Sequence, residues 1–204
     1  MEKGSSMSLN HKWLSFCKSN GFAEQDSENI LTKHYIQNEL AYHNLEHITD
    51  CLKEFEKHQK LAEDPIAVEL AIWFHDAIYD PKAKDNEERS ALMAQDFLSD
   101  SPLAKTVAEL ILDTKHQARP QTNDGQLICD IDMSILGREP AIYQRYSQAI
   151  RIEYSWVSNE DYSVGRRKVL DNFLAREHIY YLPVFVEKYE EQARSNLTFE
   201  RGSL

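Results

Sequence analysis

Four short stretches of this 204-residue chain carry residue types that bind cations. They are YHNLEH at 42–47, the pair His75-Asp76 in WFHDAIYD, the single His116, and Asp130-Ile131-Asp132 in LICDIDMSILG. His75-Asp76 stands in the most apolar stretch of the chain, between Trp73-Phe74 and Ala77-Ile78. A carboxylate buried there is costly unless something compensates it. On a helix, neighbours at i and i+1 diverge by about 100°, so His75 is not expected to face Asp76. A bound cation would compensate, since carboxylate and neutral imidazole are both metal ligands. A distant Arg or Lys would also serve, with His75 as an ordinary core histidine. Asp130 and Asp132 pose the same problem in an apolar helix. His43 and His47 are four residues apart at a helix start, where two incidental histidines are equally readable. His116, at a helix C-terminus, is explained as well by the helix dipole.

The elements that must position these residues are read as helices. Apolar residues recur at three and four, and no long run alternates with period two. Ser8 precedes Leu9, Trp13, Phe16 and Cys17, with Gly21 as the stop, and Ser27 opens a second helix with Ile30, Leu31 and Tyr35. Asn44 caps a third and puts His47 at its third position, facing inward with Ile48 and Cys51. Asp64-Pro65 is a cap followed by proline at N1. The helix from Ile66 to about Tyr79 is apolar almost all round, which makes it the buried central helix. Asn86 is read as the cap of a further helix, and Ser101-Pro102 repeats the cap-proline pattern for another. A loop spans 117–125, and a helix near 126–136 ends at Gly137. Three more are expected from Pro140, near 160–176 and near 183–195. The expectation is an all-α fold in one compact bundle, a single domain over 1–204.

Composition bounds the partners. Lys and Arg number 23 against 34 Asp and Glu, a net charge of −11. That suits no long nucleic acid, which needs basic patches against its phosphates. No apolar run of about 18 residues exists to span a membrane. MEKGSSMSLN lacks the apolar region of a secretory signal. Cys17, Cys51 and Cys129, odd in number and widely spaced, read as reduced core thiols of a cytoplasmic protein. No heptad run or apolar stripe commits to an oligomeric state.

The order His … His-Asp … Asp, on helices of an all-α bundle, resembles the HD-domain superfamily of metal-dependent phosphohydrolases. The contexts YHNLEH, WFHDAIYD and DIDMSILG are similar to a bacterial branch of predicted phosphohydrolases. The motifs span about 40–140, and helices over 140–200 would complete an HD-type bundle. The resemblance implies His47, His75, Asp76 and Asp132 as metal ligands, with Asp130 as the runner-up for the last position. It implies a divalent ion, for which a mixed N/O set suits Mn, Mg, Co, Ni or Fe better than closed tetrahedral zinc. His116 leaves open whether one ion or two bind.

The expected chemistry is hydrolysis of a small phosphorylated substrate, by analogy a nucleotide, through attack of an ion-bound water. Asp76, Asp80 and His116 are the catalytic candidates, with Asp80 preferred over Glu46 and Glu87 for an acid/base or supporting role. His43, Lys115, Arg151 and Arg166 are the substrate-binding candidates. Lys82, Lys84, Arg167 and Lys168 are further local cations, and Glu153 and Tyr154 further candidates for the pocket wall. Two other readings are a di-iron oxygenase of HD type and a helical binding module without catalysis.

Overall fold

Nine α-helices and two short 3₁₀ helices follow one another through the described residues, with no strand among them. The fold is all-α. The computed structural model describes residues 3–22, 34–35, 40–99 and 101–204. The helix expected from Ser27 through Ile30 and Leu31 lies outside these, although Tyr35 is described. No helix among the described residues is long and apolar enough to cross a membrane. Contacts divide the chain into two units, Met1–Ile128 and Cys129–Leu204.

The first unit holds α1 (Lys3–Asn20), α2 (Leu45–His58), α3 (Pro65–Phe74), α4 (Asn86–Leu98) and α5 (Leu103–Asp113). Its core is α3, which buries Ala67, Val68, Leu70, Ala71, Ile72, Trp73 and Phe74 and packs on α2, α4 and α5. The Asp64 carboxylate accepts from the Ile66 and Ala67 amides, and Pro65 fills N1, as the sequence suggested. Asp124 adds a second cap, accepting from the Glu63 and Asp64 amides at 2.7 and 2.8 Å. Trp13 of α1 packs between Trp73, Phe74 and Phe97, with ring centroids 5.1 to 5.8 Å apart. Gly21 stops α1 at φ +73°, a left-handed conformation natural to glycine at a helix end.

Two expectations need correction. α3 ends at Phe74, not near Tyr79, and His75 and Asp76 stand in the turn that follows. The ladder fails for a chemical reason. His75 Nδ1 takes the Ile72 carbonyl at 3.0 Å, Tyr35 donates to the Trp73 carbonyl at 2.9 Å, and the Ala77 amide turns back to Phe74. The second correction concerns Asn86, which is the first residue of α4 and not its cap. Its side chain is engaged elsewhere, accepting from the Asp80 amide and donating to the Asp80 carbonyl, both at 3.0 Å. With the Ser90 hydroxyl accepting from the Ile78 amide, α4 pins the segment that leaves α3.

α6 (Asn123–Asp132) carries the chain across the boundary. The second unit continues with a 3₁₀ helix (Met133–Gly137), α7 (Pro140–Glu153), α8 (Asn159–Leu174) and α9 (Pro183–Ser203). α9 packs on the 3₁₀ helix, α8 and α7. At Gly137 the two backbones touch: a Cβ there would fall 2.6 Å from Tyr189 Cβ and 2.7 Å from its carbonyl oxygen. Arg166 donates to both Glu200 oxygens, at 2.8 and 3.0 Å, and the Tyr143 hydroxyl donates to Glu200 as well. All three side chains are buried.

Candidate metal centre

The site is assembled from the start of α2 and the end of α3. Asn44 caps α2 by accepting from the Glu46 amide at 2.8 Å, while its amide group donates to the Leu40 carbonyl at 3.0 Å. This fixes His47 at the third helical position, buried with Ile48, Cys51, Leu52 and Phe55 on the inward face. Across from it the turn after α3 presents His75 and Asp76.

Three polar atoms meet there. His47 Nε2 and His75 Nε2 are 3.1 Å apart. Asp76 Oδ2 lies 3.3 Å from the first and 3.2 Å from the second. Ligands about 2.1 Å from an ion are separated by about 3.0 Å at octahedral angles and about 3.4 Å at tetrahedral ones. The observed edges fall between these, so the triangle is already dimensioned for one cation. His75 Nδ1 donates to the Ile72 carbonyl, which points Nε2 into the triangle. The stop at Phe74 explains why adjacent residues share a target, which a continuous helix would forbid.

Burial pushes the Asp76 carboxyl upward, but the charges of His75 and His43 and the hydrogen bonds from His47 and His75 outweigh it. Its pKa is held well below the usual carboxylate range, so the oxygen facing the imidazoles is anionic. Burial drives the Tyr35 hydroxyl well up, with Asp76 adding to the rise, so the phenol stays protonated.

Cys51, read from sequence as a core thiol, belongs to this group. His47, Cys51 and His75 each offer a ligand atom within 4.8 Å of the others, and the group could hold a metal ion. The legible signal was its place four residues after His47 on the inward face. Its sulfur stands 3.7 Å from Nδ1 and 3.8 Å from Nε2 of His47. That spacing suits packing against the imidazole and suits joint ligation of one ion equally. None of the three cysteines is in a disulfide, and all are buried.

Around the triangle, Tyr42 leans on the His47 ring at 4.7 Å, and His43 stacks on Tyr79 at 3.6 Å with planes 14° apart. The remaining candidates have identifiable local uses. Asp80 is exposed and accepts from the Lys82 amide. Lys115 pairs with Glu88. His116 lies three residues past the end of α5, not in its last turn, and adopts φ +55°. Arg151 clasps the α7–α8 connection, donating to the Tyr154 and Val157 carbonyls and to Asn159, with its guanidinium 4.6 Å over the Tyr162 ring. Arg166 has its guanidinium fork on Glu200, so its buried charge is answered within the second unit. Asp130 accepts from the Tyr181 and Leu182 amides at 2.8 and 2.7 Å, just ahead of α9. Asp132 closes α6 in the second unit and is partly exposed. Comparison with protein-family models, curated proteins and solved structures returns no match.

Proposed function

We propose that the chain is a metal-dependent phosphohydrolase of the HD type acting on a small phosphorylated molecule. The observation that carries this reading is the triangle of His47 Nε2, His75 Nε2 and Asp76 Oδ2, with edges of 3.1 to 3.3 Å. In this reading those three residues hold one divalent ion (Mn, Mg, Co, Ni or Fe), and Asp132 supplies a fourth ligand, as the order of the sequence motif implies. When bound, such an ion lowers the pKa of a coordinated water and polarises a phosphoryl oxygen. The protein's own contribution is orientation and charge. His75 is locked as the Nδ1–H tautomer by the Ile72 carbonyl, and Asp76 remains ionised. His43, half-exposed and held flat against Tyr79, is the preferred contact for the substrate. Arg166 and Arg151 have local partners, which weakens their nomination as phosphate ligands. A reducing, cytoplasmic setting fits three buried thiols without a disulfide.

The test is a screen of nucleotides and sugar phosphates with Mn²⁺, Co²⁺, Ni²⁺ or Mg²⁺, comparing wild type with Asp76→Ala. Metal-dependent phosphate or pyrophosphate release by the wild type alone is expected. Equal release by both, or none by either, defeats the proposal. Two irons per chain with an oxygen-dependent spectrum would replace it with the oxygenase reading.

A further inference from the structure

The most consequential group outside the triangle is the hydroxyl of Tyr35. The side chain is buried, and its hydroxyl donates to the Trp73 carbonyl at 2.9 Å. In a continuing α-helix the amide of residue i bonds the carbonyl of i−4. Asp76 N–H would then occupy the Ile72 carbonyl, and Ala77 N–H would occupy the Trp73 carbonyl. Neither bond forms here. Tyr35 serves the Trp73 carbonyl, and Ala77 N–H bonds Phe74 instead. The Ile72 carbonyl is thereby left to His75 Nδ1.

We propose that Tyr35 is a positioning residue of the metal centre: its hydroxyl takes the Trp73 carbonyl out of the α3 ladder and so helps end the helix at Phe74, where the Ile72 carbonyl is left to orient His75. The role rests on the metal-centre reading above, since it acts on two of the proposed ligands. One phenol turns Asp76 toward the two imidazoles and lets a backbone carbonyl set the His75 tautomer. Without it, the unmade rungs would draw the chain back toward helix. His75 and Asp76 would then diverge around the axis and lose their common target.

The experiment compares Tyr35→Phe with Tyr180→Phe in the full chain. Tyr180 is a matched control, a buried tyrosine donating to the Met133 carbonyl in the second unit. Mn²⁺ binding is titrated calorimetrically, and the His75 tautomer is read by ¹⁵N NMR on ion-free protein. Tyr35→Phe is expected to weaken Mn²⁺ binding roughly 10- to 100-fold, the usual loss for a group that orients a ligand. It should also scramble the His75 Nδ1–H tautomer seen in the wild type. Tyr180→Phe should destabilise the fold comparably and change neither readout. Equal Mn²⁺ affinity in wild type and Tyr35→Phe would overturn the positioning role and leave the metal centre standing. A wild-type His75 that carries no proton at Nδ1 would overturn it without recourse to any variant. A wild type that binds no Mn²⁺, Co²⁺, Ni²⁺ or Mg²⁺ would overturn the metal centre and this role with it.

Discussion

Two carboxylates largely shielded from water, Glu200 and the partly buried Asp76, meet the same electrostatic problem in opposite ways. Glu200 is answered within its own unit by a permanent cation, the Arg166 fork, with the Tyr143 hydroxyl as a further donor. Asp76 is answered by imidazoles, whose nitrogens carry lone pairs as readily as protons. A guanidinium cannot give up its charge, so the Glu200 network is closed and its product is cohesion between α8 and α9. An imidazole pair can exchange its protons for an ion. The difference between a structural charge pair and a candidate ligand site therefore lies in the chemistry of the partner.

The largest expected effect breaks the Asp76 side of this contrast. Asp76→Asn should abolish the rise in thermal stability that a saturating divalent ion gives the wild type. At one hundred times Kd that rise corresponds to about 2.7 kcal/mol. A melting series with and without Mn²⁺ reads it, and an undiminished shift in the variant would remove Asp76 from the ligands.

The Glu200 side should break differently. Glu200→Ala leaves a buried guanidinium without its carboxylate and should cost about 3–5 kcal/mol in denaturant unfolding. Ion binding should be untouched. Replacing both partners, Arg166→Met with Glu200→Leu, should recover most of that loss. A double variant as unstable as the single one would show that the packing, and not the charge, was at fault.

Acid should sharpen the contrast further. Burial pushes Glu200 up, but its hydrogen bonds and ion pair with Arg166 win, and its folded pKa is lowered. A lowered carboxylate contributes stability that is complete above the ordinary glutamate range and fades as pH falls through the folded value. Wild type and Glu200→Gln should therefore differ most near neutrality and converge in acid. Melting curves that stay parallel down to acid would contradict the assignment.

The smallest effect expected is at Cys51. Mn²⁺ is a hard ion that prefers imidazole and carboxylate to a soft thiolate, so Cys51→Ala should leave Mn²⁺ affinity nearly unchanged. A marked fall, or loss of a sulfur-to-metal band with Co²⁺, would place the thiol among the ligands.

What could be read from sequence was local chemistry. Asn44, Asp64-Pro65 and Pro140 mark helix starts through side chains that act within three residues, and the fold bears them out. The run 66–74, apolar but for Glu69, marks its burial. The end of α3 was not legible, because it is made by a tyrosine 38 residues away and by the side chain of His75 itself. Asn86 has the composition of a cap, yet its amide spans to Asp80 across the turn. From sequence Arg166 is a substrate-binding candidate, yet its partner lies 34 residues on. Where a residue acts through sequence-distant groups, spacing carries no trace of it.

Gly137 carries a lesson for genetics. With Tyr189 backbone and Cβ atoms already where a Cβ would go, every replacement must force two segments apart. A saturation-mutagenesis map scored on survival or abundance would rank Gly137 beside Asp76 as intolerant of change. The two would separate only when variants are scored with and without added divalent ion. Gly137 would fail in both conditions, whereas an Asp76 variant would behave like ion-starved wild type.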